Sequence, residues 1–307
     1  MAILCRQDIH ALQINDRIEQ LSFEQRATYA KAISQAINRN PDTPMTNIES
    51  LRSKGYLNLG RLFDDKQVDK IKDSLFNNKT IYNAHVPIEI KRCKNPDNAR
   101  LTITKENDIQ NLPHGLYSWT GDNILRCPHV AELITNPAIC SLAERYLGCI
   151  PTFYDVNCIM TVSKNLPKTE NTIRPHEVQT PHRDCEDFKS LTMLVYLTDV
   201  DSLQDGPHCY VEGTHNSSSA YIETDPVYTT YGKKGFGIIE DTYGWHYGTP
   251  LGKEGYRMIL WLRYGLYDNE MYSDTNQLWR YKINKSEFEK YIEMNEYNNY
   301  LLRLFIK

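Results

Sequence analysis

The sequence predicts a mainly β fold with flanking helices, built as a sandwich or a barrel. Five strand-like runs follow one another in the second half of the chain, with no helical pattern between them. The segments that separate them are rich in Gly, Pro, Asn and Ser, and this spacing favours a sandwich or barrel over a parallel α/β sheet. The 307 residues, 40% of them hydrophobic, suffice for one large domain with additions or for two small domains. The predicted strands are residues 152–163, 190–198, 208–212, 236–241 and 256–264.

The N-terminal part predicts helices and one short strand. Ser22 and Gln25 form a capping-box pattern that opens a helix, with apolar residues at helical spacing up to Ile37. "NPDTPMTN" reads as a linker. A short strand over residues 56–59 and a second helix follow. Asp64 or Asp65 caps that helix, and Val68, Ile71 and Leu75 lie on one of its faces.

Proline positions and polar composition distinguish the remaining segments of the chain. Residues 77–123 are polar and predict irregular loops and short strands, whereas "HVAELITNPAICSLAERYLG" predicts two helices separated at Asn136-Pro137. The tail "SEFEKYIEMNEYNNYLLRLF" predicts a helix packed outside the barrel. We therefore expect an N-terminal helical extension in residues 1–50, the main domain in 51–267 and a C-terminal helical extension in 268–307.

Composition limits the classes of partner. A formal net charge of −4, from 35 basic and 39 acidic residues, gives no electrostatic footprint for nucleic acid. The eight cysteines show no C-x-x-C spacing, which fits reduced thiols in a cytoplasm. Neither a signal segment nor a membrane-spanning run is present. We expect a cytoplasmic protein, monomer or homodimer, with a small-molecule partner and no membrane or nucleic-acid partner.

"QTPHRDCEDF" places His182 and Asp184 two positions apart, just before a strand. Residues i and i+2 of an extended segment project to the same side, so the pair could present a nitrogen and a carboxylate oxygen to one ion. The composition alone supplies about 0.6 such pairs per chain. The pair therefore needs support from elsewhere in the sequence.

That support comes from two further residues. His246 follows the apolar strand "GFGII", and two histidines with one carboxylate form the facial triad that suits non-haem Fe(II). Arg257 lies eleven residues further on inside "GYRMILWLRYG", where a buried guanidinium is costly unless it has an anionic partner. The connection "YGTPLGKE" is short, so Arg257 must lie near His246. A dicarboxylate could contact the metal with one end and Arg257 with the other.

These motifs make the chain resemble the phytanoyl-CoA dioxygenase-like branch of the Fe(II)/2-oxoglutarate-dependent oxygenases. The resemblance covers residues 51–267. "LRSKGYLNLGRLFDDKQVDKIKD" is similar to the strand and helix that begin the family's domain, and "HRD" matches its H-x-D motif. "DGPHCYVEGTH" matches the glycine-proline turn and the G-[ST]-H segment, and "DTYGWHYGTP" with the later arginine matches the distal histidine.

The resemblance implies a double-stranded β-helix, which is a cupin-like jelly roll. It also implies that His182, Asp184 and His246 hold Fe(II) and that Arg257 binds the distal carboxylate of 2-oxoglutarate. The implied reaction consumes O2 and 2-oxoglutarate and releases succinate and CO2, with ascorbate as reductant in vitro. Related halogenases have a small residue in place of the carboxylate, so Asp184 favours hydroxylation of a small molecule over halogenation.

The chain departs from the family at Gly248, where many members have a serine or threonine that helps to hold 2-oxoglutarate. Thr249, Thr180 and Tyr196 are candidates to compensate. Arg263 is expected to be a surface residue at a strand end. His208 and His215 are expected to make turn hydrogen bonds, with substrate contact as the alternative. His176 is expected to be a loop histidine, with substrate contact as the alternative. Lys91, Arg92 and Lys94 are expected to form a solvated charge cluster rather than an anion site.

Two other functions remain open from the sequence. A zinc hydrolase could use the same three ligands and a water, although Arg257 would then have no role and no general base is evident. A jelly-roll binding protein without turnover is the other alternative, with Gly248 marking a decayed cosubstrate site.

Overall fold

The computed structural model describes residues 21–37, 48–77, 79–83, 100–103, 106–119, 121–164, 179–185, 187–266 and 283–306. The strands in these ranges are β1 Tyr56–Arg61, β2 Lys79–Asn83, β3 Arg100–Ile103, β4 Gly115–Trp119, β5 Thr152–Ser163, β6 Ser190–Tyr196, β7 His208–Val211, β8 Val227–Thr230, β9 Phe236–Glu240, β10 His246–Gly248 and β11 Gly255–Gly265. The α-helices are α1 Phe23–Ile37, α2 Glu49–Lys54, α3 Asp65–Phe76, α4 Gly121–Leu125, α5 Pro128–Ile134, α6 Pro137–Leu147, α7 Lys285–Phe288 and α8 Glu296–Leu301.

The strands form two antiparallel sheets. The large sheet has the order β1-β9-β6-β11-β5-β4-β2-β3, and the small sheet has the order β10-β7-β8. From β5 onward the chain passes back and forth between the two sheets, which is the topology of a double-stranded β-helix. The prediction of a mainly β jelly roll with flanking helices is confirmed.

Strand β11 lies between β5 and β6 in the large sheet and is buried on both faces over most of its length. Met258, Leu260 and Leu262 point outward into the main hydrophobic core, which helices α3 to α6 share. Ile259 and Trp261 point into the barrel and join the second core, which includes Tyr210 of the small sheet. The period of two along a strand separates these sets, so Arg257 and Arg263 lie on the inner face with Ile259.

Helix α1 packs against the segment ahead of β6. The predicted capping box is present, since Gln25 accepts from the Ser22 backbone N–H at 2.9 Å and the Ser22 hydroxyl accepts from the Gln25 N–H at 3.3 Å. Tyr29 packs on Phe188 with ring centroids 5.5 Å apart. Asp64 is likewise the predicted cap of α3, with Gln67 as its partner.

The C-terminal segment packs on the barrel, but as two short helices instead of one. Asn295 interrupts the predicted helix, because its side chain accepts from the backbone N–H of Asn298 and begins α8. Phe305 then packs against Phe153 of β5 with ring centroids 5.4 Å apart. The division into a main domain and two extensions remains a prediction.

Five predicted strands recur with nearly the same bounds in β5, β6, β7, β9 and β11, and the short strand predicted over residues 56–59 recurs as β1. Strands β8 and β10 and helix α2 were not predicted; β8 lies in a segment that the sequence analysis reads as loop. Among the described residues, no helix combines the length and the apolar character needed to cross a membrane.

We expect Leu260→Ala to destabilise the fold strongly. Leu260 is fully buried in the centre of the large sheet, so truncation leaves a cavity and should lower the free energy of unfolding by about 2 to 5 kcal/mol. Urea denaturation measures this, with Leu203→Ala as control because Leu203 is 60% exposed. Equal effects of the two substitutions would contradict the central place of β11.

Candidate metal centre

The backbones of His182 and His246 form an antiparallel bridge. The N–H of each residue donates to the carbonyl of the other at 3.0 Å, and the N–H of Asp184 donates to the Thr242 carbonyl at 2.8 Å. His182 and Asp184 lie two positions apart on this extended segment. The bridge therefore brings both of their side chains next to His246 of β10, which is an edge strand of the small sheet.

Backbone carbonyls fix the orientation of both imidazoles. His182 Nδ1 lies 2.8 Å from the Thr180 carbonyl, and His246 Nδ1 lies 2.9 Å from the Gly244 carbonyl. A carbonyl can only accept a hydrogen bond, so each Nδ1 carries a hydrogen, and in the neutral form of each ring Nε2 presents the lone pair. Such second contacts are typical of histidines that bind metals.

The three predicted ligands meet. His182 Nε2 lies 3.8 Å from Asp184 Oδ1, and His246 Nε2 lies 3.7 Å from Asp184 Oδ2. These distances are too long for hydrogen bonds. All three ligand atoms lie within 4.8 Å of one another. An ion about 2.1 Å from each atom joins atoms up to about 4.2 Å apart, so both histidine–aspartate distances suit a shared metal better than internal hydrogen bonding.

The protonation states also suit a cation. Burial, partly offset by Asp184, lowers the pKa of His246 to about 4, so this imidazole is neutral near pH 7. Burial would raise the pKa of Asp184, but the charges of Arg263, His246 and His182 outweigh it and the pKa is lowered. The site thus offers a carboxylate and a neutral imidazole without needing to release protons.

The prediction of a surface position for Arg263 is wrong. Arg263 is 4% exposed, and its Nη2 donates to Asp184 Oδ2 at 2.9 Å. The inward face of β11 continues to this position, so the side chain enters the barrel and meets the ligand carboxylate. Because Arg263 engages Oδ2, Oδ1 is left as the oxygen available to a metal. The criterion that singled out Arg257, an arginine within an apolar strand, would also have found Arg263.

Arg257 is a buried cation with weak neutral partners. It is 5% exposed, and its Nη1 and Nη2 lie 3.3 Å from the Thr249 carbonyl and from Thr161 Oγ1. Within the described part of the chain, its Nε has no hydrogen-bond partner, and no carboxylate pairs with it. Burial accordingly lowers the pKa of Arg257. Arg257 therefore lacks an anionic partner, which the carboxylate of a bound molecule would supply.

The turn before β7 makes room for the guanidinium. Gly206 has φ of +70°, and a Cβ there would lie 2.8 Å from the Thr249 carbonyl and 3.1 Å from Arg257 Nη1. Only glycine combines this backbone conformation with this close approach. The structure thus brings Arg257 against the segment that follows β10, as the short connection predicts.

The candidate helpers for 2-oxoglutarate are engaged elsewhere. The Thr249 hydroxyl donates to the Pro207 carbonyl at 2.9 Å. Tyr196 donates to the Thr230 carbonyl and accepts from the His208 N–H, both at 2.9 Å. Thr180 is exposed and contributes its carbonyl to His182. The cofactor roles of Thr180 and Thr249 remain predictions.

A second buried pair lies beside the centre and was not predicted. His208 Nε2 lies 2.9 Å from Glu240 Oε2, with 6% and 0% of these residues exposed. The ring centroids of His208 and His246 are 5.9 Å apart. Glu240 ends the apolar run "FGII" of β9, which is the signal that would have identified it. His208 thus forms a buried pair with a carboxylate rather than a turn hydrogen bond.

Two further polar side chains in the described ranges make their contacts away from the three ligands. Arg183 donates to the Thr214 and Ser219 carbonyls at 2.9 and 3.0 Å. Buried His215 contacts the Arg52 carbonyl at 3.2 Å. His176, Lys91, Arg92 and Lys94 lie outside the described residues.

Comparisons with known proteins give structural matches only. No family model matches the sequence, and no curated protein matches it. The chain is similar to the non-heme alpha ketoglutarate dependent epimerase SnoN from nogalamycin biosynthesis, with 15% identity, a TM-score of 0.48, and 78% of this chain and 84% of SnoN covered.

Two further matches have similar extents. HygX from Streptomyces hygroscopicus, solved with nickel, 2-oxoglutarate and hygromycin B, shows 15% identity and a TM-score of 0.46 over 72% of this chain and 87% of HygX. The non-heme alpha ketoglutarate dependent carbocyclase SnoK shows 16% identity and a TM-score of 0.44 over 75% and 90%. The fold assignment rests on the strand order of this chain itself.

The two buried arginines of β11 should respond oppositely to Arg→Met substitution. Arg263→Met leaves Asp184 buried without its partner and should lower the free energy of unfolding by about 3 to 5 kcal/mol. Arg257→Met removes an uncompensated cation and should leave the free energy of unfolding unchanged or raise it by up to about 4 kcal/mol. Chemical denaturation of metal-free protein at pH 8 measures both. A similar loss of stability in the two variants would contradict the assignment.

We expect His182→Ala and His246→Ala each to abolish tight binding of a divalent metal. Loss of a direct ligand should exceed the roughly 10- to 100-fold cost of losing a second contact. Calorimetric titration with Ni2+ measures this, with His129→Ala as control because His129 lies on α5 and contacts Glu132 of the same helix. Unchanged Ni2+ affinity in either ligand variant would place the metal elsewhere.

Proposed function

We propose that this protein is a non-haem Fe(II)/2-oxoglutarate-dependent oxygenase that hydroxylates a small molecule. The observation that carries the proposal is the pairing of a converging His-Asp-His cluster with a buried arginine that lacks an anion. A zinc site explains the first feature but leaves Arg257 without a purpose. SnoN and HygX use or bind the same cosubstrate, and the proposal for this chain depends on its own residues.

The donor set fits iron. His182, His246 and Asp184 supply two imidazole nitrogens and one carboxylate, the combination that leaves coordination positions open on Fe(II). Arg257 presents a planar fork that suits the distal carboxylate of 2-oxoglutarate. Bound together, iron and 2-oxoglutarate supply an O2-dependent oxidation coupled to decarboxylation of the cosubstrate.

The chain's residues position the reactants and exclude water. The Thr180 and Gly244 carbonyls hold the imidazoles in one orientation, and Arg263 holds the carboxylate of Asp184. Arg257 is held against the Thr249 carbonyl before any anion arrives, so little side-chain freedom remains to be lost on binding. The apolar lining of the barrel, with Ile259 and Trp261, keeps these contacts at low dielectric, where they are strongest.

Asp184 favours hydroxylation over halogenation within this class. Its carboxylate occupies the position that a halide would need, and Arg263 fixes it there at 2.9 Å. Among the described residues no other carboxylate shares the cluster with the two histidines.

The test has two parts. Calorimetry with Ni2+ in place of iron measures 2-oxoglutarate binding, and incubation with Fe(II), ascorbate and 2-oxoglutarate in air measures succinate. We expect both in the natural protein. In Arg257→Met we expect 2-oxoglutarate affinity to fall by at least about 100-fold, consistent with loss of a buried charge-assisted pair worth about 2 to 5 kcal/mol or more, while Ni2+ affinity is retained.

The other outcomes identify the alternatives. Retention of zinc with no binding of 2-oxoglutarate and no succinate would support a hydrolase. Absence of both metal binding and turnover would support a binding protein. A natural protein that binds 2-oxoglutarate no more tightly than its Arg257→Met variant would overturn the role of Arg257.

A further inference from the structure

A second cavity lies at the barrel end that α1 covers. It has a volume of about 440 Å³, and none of its lining residues is a ligand of the metal centre. Its walls come from α1, from the end of α6, from Phe188 and Lys189 ahead of β6, and from Asp241 after β9. The proposed oxygenase function assigns no role to this cavity.

Four cationic side chains line it: Arg26, Lys31, Arg52 and Lys189. Within the ranges that the structure describes, none of the four forms an ion pair with a carboxylate, and Asp241 is the one carboxylate in the lining. Asp241 accepts hydrogen bonds from the Tyr146 hydroxyl at 2.6 Å and from the Tyr243 N–H at 3.0 Å. Neutral partners therefore hold its oxygens, and the cavity keeps an excess of three positive charges.

One of these cations is buried and a second is half-buried. Arg26 is 5% exposed, and its Nη2 donates to the Phe188 carbonyl at 2.9 Å. Its Cζ lies 3.1 Å from the centre of the Tyr243 ring. Its Nε has no hydrogen-bond partner among the described residues. Lys189 donates to the Tyr146 carbonyl at 2.6 Å and lies over the Tyr146 ring. Holding uncompensated cations this deep costs free energy, which a bound anion would recover.

The cavity also has an apolar wall. Its lining includes Phe23, Ala27 and Ala30 of α1 together with Leu147 and Phe188. A bare inorganic ion would leave this surface in contact with water, whereas an organic group attached to the anion would cover it. The charge excess suits a dianionic phosphate better than a single carboxylate.

We propose that this cavity binds an organic phosphate monoester. The phosphate lies among Arg26, Arg52, Lys31 and Lys189, and the organic group lies against the apolar wall formed by α1 and Leu147. The site is separate from the metal centre. It does not depend on the proposed oxygenase function.

The test uses the full-length protein and two probes, inorganic phosphate and phenyl phosphate, in calorimetric titrations at constant ionic strength. We expect phenyl phosphate to bind one site, more tightly than inorganic phosphate. Arg52 and Lys31 are exposed, so Arg52→Gln and Lys31→Gln should fold normally. Each should weaken phenyl phosphate binding by about tenfold, the effect of losing one charge-assisted contact.

Two controls locate the site. Lys66→Gln removes an exposed lysine on α3 and should leave binding unchanged. Arg257→Met should also leave it unchanged, because the barrel interior is not the proposed location. The proposal would be overturned by unchanged phenyl phosphate affinity in Arg52→Gln and Lys31→Gln, or by loss of binding in Arg257→Met. It would also be overturned if the calorimetric signal with phenyl phosphate were no greater than the signal with KCl. Phenyl phosphate that binds no more tightly than inorganic phosphate would overturn the organic part of it.

Discussion

The pair of backbone hydrogen bonds between His182 and His246 is the contact on which the site depends. It attaches an irregular segment to β10 and so fixes two ligands against the third. Without it, residues 64 positions apart in sequence would have no reason to meet, since β10 itself is only three residues long. Once the bridge forms, the period of two places Asp184 inward, and the inner face of β11 supplies both arginines. The candidate metal centre is thus a consequence of strand pairing and alternation rather than of side-chain attraction.

The inner face of the barrel holds more charge than a stable core requires. Arg263 with Asp184, and His208 with Glu240, are compensated pairs that can be retained at modest cost. Arg257 is different, because its partners are a carbonyl and a hydroxyl at 3.3 Å. A binding site for an anion requires a buried cation that costs stability while it is unpaired, and space beside it. Gly206 provides that space next to Arg257. The contrast between two arginines six residues apart on one strand separates a structural role from a binding role.

Much of this was predictable because long strands carry a strong signal. β5 and β11 were predicted almost residue for residue, since apolar residues buried on both faces of the sheet form continuous runs. β8 was missed because its four residues are mostly exposed or half-buried, and β10 because three residues carry no period. The cluster His182, Asp184, His246 followed from spacing and motif. Arg263 was missed because its distance along the strand suggested a surface end, whereas the strand continues inward. The helix predicted in the C-terminal tail was too long because Asn295 caps a new helix, which periodicity does not reveal.

Helix α1 contacts the residues around the candidate metal centre through Arg26. Arg26 extends from α1 to the Tyr243 ring, and the Cζ of Arg183 lies 4.7 Å from the centre of that same ring. Arg183 stands between the ligands His182 and Asp184, so the ring lies between the helix and the metal-binding segment. Removing α1 would expose Phe188 and leave Tyr243 with one cation instead of two. The orientation of the metal-binding segment and the covering of the barrel end are therefore parts of one packing arrangement, in which a cationic side chain of the N-terminal helix supports the turn that precedes His246.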